Sequence, residues 1–113
     1  MIAIKAFAAQ GDVLFRRLER LPDNVVERET NGAIVVAHSE TGHQHAIDGA
    51  GVRLFEDADA GMEARYLEVA AAFADVVHHR SYDRHETLRL PRGFWEVRRQ
   101  RQWVLDGWHS VED

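Results

Sequence analysis

The sequence predicts a mainly β protein, a small antiparallel barrel or sandwich, with at most one helix, confined to residues 62–78. Three observations predict it. Turn signals recur at Leu21-Pro22-Asp23-Asn24, Asn31-Gly32, Asp48-Gly49-Ala50-Gly51 and Pro91-Arg92-Gly93. The stretches between them are short and carry apolar runs such as Val13-Leu14-Phe15 and Ala33-Ile34-Val35-Val36-Ala37. Near the C-terminus, Phe94-Trp95-Glu96-Val97-Arg98 alternates apolar and polar residues with the period of a half-buried strand.

Residues 1–9 read as an edge strand or a loose arm, ended by Gln10-Gly11-Asp12. Val13-Leu14-Phe15 with Leu18 enters the core and runs out at the Pro22 turn, where proline presets φ and Asp23 and Asn24 tolerate tight backbone. Val25 and Val26 lead to Asn31-Gly32, the strongest two-residue hairpin signal in the chain, and Ala33–Ala37 is the buried strand after it. Glu40-Thr41-Gly42 turns the chain, His43 to Ile47 returns, and Val52-Arg53-Leu54-Phe55 follows the next turn. Between Met62 and Val77 two readings compete. Met62, Tyr66, Val69, Phe73 and Val76 fit one helical face, and the alanines at 70, 71, 72 and 74 favour helix. Tyr66–Val69 and Phe73–Val77 also read as two strands about a small-residue turn. Leu88-Arg89-Leu90 is a strand ending in the Pro91-x-Gly93 turn, and a last strand covers 94–105.

At 113 residues the chain is long enough for one core, so a single domain spanning 1–113 is expected. A net charge of −5 argues against a general nucleic-acid binder, although Arg92, Arg98, Arg99 and Arg101 make the C-terminal third basic. With no cysteine, any metal must be held by imidazole nitrogen or carboxylate oxygen, and a cytoplasmic location is expected. The apolar start Met1–Ala9 is too short to span a membrane, so no membrane partner is expected.

The most specific chemistry lies in the histidines. Six of the seven fall in two clusters, 38–45 and 78–85, with His109 apart. In an extended chain His43 and His45 point the same way, about 7 Å apart. Two imidazoles on one strand face are half of a first-row metal site. One more from the second cluster would give a three-His site with a position open to water, the arrangement of catalytic zinc; an added carboxylate suits iron or manganese equally. His85 is the first candidate, because it precedes the strand at Leu88; His79 is next, and an extended chain turns His78 to the opposite face from His79. Glu40 is the candidate base toward bound water, with Asp48 and Glu86 behind it. The bland alternative is a set of surface or hydrogen-bonded core histidines, with Glu40 a solvated turn residue.

His43-x-His45 and Pro91-x-Gly93 resemble fragments of the two cupin motifs, although Gly49 and Ala50 stand where a cupin has Glu, and Glu96 where it has the second-motif His. The chain also resembles a family of small uncharacterised bacterial and phage β proteins. The resemblance rests on Gln10-Gly11-Asp12-Val13-Leu14, Thr41-Gly42-His43-Gln44-His45, His85 before Leu90-Pro91-Arg92-Gly93, and Arg99-Gln100-Arg101-Gln102-Trp103. It implies strands in 66–77 and marks His43, His45 and His85, with His79 next; it implies no activity.

Three functions compete. The first is a metalloprotein with a divalent ion, zinc before others, activating water for hydrolysis or hydration of a small molecule. The second is a non-enzymatic module gripping nucleic acid or a protein through Trp95, Arg98, Arg99, Arg101 and Trp103, where arginines hold phosphate and aromatics stack. Against it, the same pattern reads as an amphipathic strand with Trp in the core and Arg99 and Arg101 in water. The third is a homo-oligomer with interfacial histidines. No Gly-x-Ser-x-Gly nucleophile or Gly-rich phosphate loop occurs.

Overall fold

In the computed structural model, residues 2–38, 44–79 and 87–99 are described, with backbone alone at 2, 37, 38, 61–63, 78 and 79. Their regular structure is entirely β. Two long antiparallel strands, β8 (Gly61–His79) and β9 (Leu88–Arg99), form the spine. Alongside their first paired stretch, β7 (Val52–Asp57) joins the free edge of β8 and β4 (Val25–Arg28) joins β7. On the other side β3 (Val13–Leu18) joins β9, and β2 (Phe7–Gln10) joins β3. Alongside the second stretch, β6 (Gln44–Ile47) joins β8 and β5 (Ile34–His38) joins β6. The two-residue β1 (Ile2–Ala3) pairs parallel with Leu88 and Arg89, the exception in an otherwise antiparallel sheet.

The sheet therefore has two wings sharing one spine, with a crease between them. Val69 pairs with Gly93 and Phe73 with Pro91, so three alanines, Ala70 to Ala72, oppose the single residue Arg92. Extra residues on one strand bend it and raise its twist. The bulge is stitched down, because the N–H groups of Ala70 and Ala71 donate to the Gly51 carbonyl at 2.8 and 3.3 Å. Gly51 is required there: its φ is 70°, and an added Cβ would lie 2.8 Å from the Ala71 methyl. Pro91 sits where the ladder is interrupted, the place a residue without an N–H is tolerated.

Folding at the crease brings the inner faces of both wings onto one core. Val13, Phe15, Leu54, Leu67 and Trp95 come from one wing, and Ile34, Val36, Ile47, Val76 and Leu90 from the other. Alternation explains the selection, since along β9 Trp95 and Val97 face in while Phe94 and Glu96 do not. A smaller cluster, Phe55, Ala64 and Tyr66 against Leu18, Leu21 and Val25, covers part of the outer face.

The sheet is not closed into a barrel: among the described residues no ladder joins β5 to β2 or β4. Side chains tie the two wings together instead. Arg65 donates to the carbonyls of Val35 and Val36 at 3.0 and 3.2 Å and pairs with buried Glu56. From β2, the Gln10 amide donates to the Val76 carbonyl at 2.9 Å.

Several expectations change. Residues 62–78 form neither a helix nor two strands but one bulged strand. Pro91-x-Gly93 is a bend inside β9, not a reversal. Asn31-Gly32 closes no hairpin, because β4 pairs with β7 and β5 with β6. The strand expected over 100–105 and the turn at 40–42 lie outside the described residues. Among the described residues no helix is long and apolar enough to cross a membrane.

Candidate metal centre

The candidate centre is assembled from the β2–β3 hairpin and the β6 strand. Gln10 pairs with Val13 across the two-residue turn Gly11-Asp12. Gly11 has a φ of 60° and Asp12 a negative one, the pattern of a II′ turn with glycine at its first central position. The turn leaves Gln10 facing inward, only 2 % exposed, and puts the Asp12 carboxylate at the rim of the core. On β6 the alternation turns Gln44 outward and His45 and Ile47 inward, and His45 is fully buried.

Gln10 determines which nitrogen of His45 carries the proton. Its Nε2 donates to the Val76 carbonyl, which can only accept, and this fixes the orientation of the amide. Its Oε1 then faces His45 Nδ1 at 2.9 Å, so Nδ1 must be the donor. In the neutral imidazole the lone pair therefore resides on Nε2. That atom lies 3.8 Å from Asp12 Oδ1, and the other Asp12 oxygen lies 3.9 Å from Arg99 Nη2. Ligating histidines characteristically have one nitrogen held by such an outer partner and the other directed at the ion.

Strand register gathers further histidine positions around His45. Its Cα partners are Ala37 on β5 and His78 on β8, and in the next rung His38 and His79 flank Gln44. Position 78 therefore stands opposite 45, and position 79 is one rung away, where a strand presents its other face. Backbone alone is described at 38, 78 and 79. Glu40, His43 and His85 lie outside the described residues, so His45 is the one histidine whose side chain is described. Among the described residues no three His, Asp or Glu side chains converge.

The arginine and tryptophan constellation divides. Trp95 is fully buried, donates from Nε1 to the Pro91 carbonyl at 3.0 Å and lies under the Arg17 guanidinium. Its ring cannot stack on a base without opening the sheet. Arg98 turns to the outer face and pairs with Glu96 at 3.1 Å. Arg99 was expected in water; it instead follows Trp95 and Val97 on the inner face and borders Asp12, because alternation carries odd-numbered residues of β9 inward. Arg101 and Trp103 lie outside the described residues.

Reading the sequence for chemistry passed over Gln10 and Asp12. Their signal was present as Gln-Gly-Asp, a turn motif, but its meaning depends on His45, which is distant in sequence. No curated protein and no solved structure matches the chain. A family model described as a domain of unknown function, DUF8820, matches residues 9–100, from the end of β2 through the histidine clusters to the end of β9. The chain belongs to the DUF8820 family.

Proposed function

We propose that the chain is a small metalloprotein whose divalent ion, zinc before others, is held by His45 with His43 and His85. The observation that carries the reading is His45 itself. It is fully buried, its Nδ1 is tied to Gln10, and its lone-pair nitrogen is directed toward a carboxylate. An oriented imidazole in an enclosed site is a good ligand and a poor surface group. Register supports the reading too, since it brings positions from both histidine clusters onto adjacent strands.

Neutral imidazole ligands leave the charge of the ion intact, and such an ion lowers the pKa of bound water to about 7. The chemistry this would supply is water activation for hydrolysis or hydration of a small molecule, with Glu40 as base. The absence of cysteine suits a reducing cytoplasm.

The test is elemental analysis of protein purified without a His tag, beside His43→Ala, His45→Ala, His85→Ala and His109→Ala. The expected result is about one equivalent of metal in the wild type and in His109→Ala, with loss in the other three. Equal metal in all five proteins, or none in the wild type, would refute the reading.

A further inference from the structure

We propose that Asp12 supplies the carboxylate ligand of this ion and that Gln10 is the residue that positions His45 for it; the inference rests on the metal reading above. Its basis is the geometry between Asp12 and His45. The separation of 3.8 Å from Nε2 to Oδ1 is too long for a hydrogen bond, and a charge-assisted one would close to about 2.8 Å. It suits two atoms bound to one ion. Ligands about 2.1 Å from a metal lie about 3.4 Å apart at the tetrahedral angle, and about 3.8 Å apart when that angle opens to about 130°.

The charge argument agrees. Gln10 places the lone pair of a neutral His45 on Nε2, so Nε2 and Oδ1 are both electron-pair donors facing each other. A metal ion placed between them would be bound by both. A metal ion leaves the ring neutral and places the charge beside Asp12, whose side chain keeps 25 % exposure to solvent. Arg99, 3.9 Å from the other carboxylate oxygen, adds a positive charge beside Asp12.

A carboxylate among imidazoles also changes which ions the site accepts. Oxygen donors favour manganese and ferrous iron relative to an all-imidazole set, which favours zinc. Asp12 is thus a specificity-determining ligand as well as an anchoring one.

The experiment is calorimetric titration of the metal-free, untagged chain with zinc chloride and separately with manganese chloride. The variants are Asp12→Asn, Asp12→Ser and His45→Ala, each melted without metal to establish that it is folded. Asp12→Asn and Asp12→Ser are expected to melt like the wild type and to bind zinc about 10- to 100-fold more weakly, the loss for manganese being larger. For Gln10, proton–nitrogen NMR correlation of the metal-free chain reads the tautomer directly: Nδ1–H in the wild type, and a mixture in Gln10→Leu. If His45→Ala abolishes binding while both Asp12 variants bind as tightly as the wild type, Asp12 is not a ligand and the metal reading stands alone. A wild type with Nε2–H as its tautomer overturns the role of Gln10. If the wild type binds neither ion, both the inference and the reading beneath it fall.

Discussion

Replacing Gln10 with leucine tests whether one buried amide holds both the fold and the site. Gln10 is 2 % exposed and reaches from β2 to two buried partners, the Val76 carbonyl on β8 and His45 Nδ1 on β6, each at 2.9 Å. Leucine has a similar volume, so no cavity is opened; what changes is hydrogen bonding. A buried polar group deprived of its partner costs about 1–3 kcal/mol, hence about 2–6 kcal/mol for the pair. Burial of the leucine returns about 1.5–3 kcal/mol. The expected net loss at mid-range is about 2 kcal/mol, within bounds of about −1 to 4.5 kcal/mol, read as a lower urea midpoint at unchanged slope in the metal-free chain. Freed from Gln10, His45 can carry its proton on either nitrogen, and under the proposed metal reading affinity is expected to fall about 10- to 100-fold, the range for losing an outer partner of a ligating histidine. Unchanged stability together with an unchanged His45 tautomer would show that the two hydrogen bonds are not made as described.

Gly51→Ala is expected to destabilise by more than about 1 kcal/mol, because it combines a positive φ with a methyl pressed on Ala71. Ala71→Gly in that background should relieve the contact but not the φ, so denaturant midpoints should recover only in part. The Asp75 carboxyl is held below the usual range, first by its hydrogen bonds from Arg89 at 2.8 and 3.0 Å. Its unfolded form binds a proton more readily, so its stabilisation is complete above about pH 3.9 and is lost as pH falls through the lower folded value. Both side chains are about one third exposed, which limits the effect to about 1 kcal/mol. Asp75→Asn should flatten that part of the acid-unfolding curve, and an unaltered curve would discount the pair.

Much of the fold is legible in the residues themselves. The apolar runs at Val13–Phe15, Ile34–Val36 and Val52–Phe55 are strands because bulky and β-branched side chains fit a pleated, buried surface, and the glycines and prolines between them interrupt pairing. That His45 faces inward with Ile47 follows from alternation alone. Partner choice does not. Asn31-Gly32 carries the strongest local hairpin signal, yet β4 and β5 part there, β4 pairing with β7 and β5 with β6. The alanines at 70–72 look helical because alanine favours helix, but in the folded chain their small size admits the Gly51 backbone at the crease.

The candidate site shows the same division. Sequence bounds the side chains a metal could use, because a chain with seven histidines and no cysteine offers imidazole and carboxylate and no thiolate. Only tertiary structure decided which positions meet. A one-residue change of register would exchange His78 for His79 opposite His45, and nothing local distinguishes the two. Gln10 and Asp12 reach His45 because the crease folds one wing onto the other, bringing together residues that no spacing in the sequence connects.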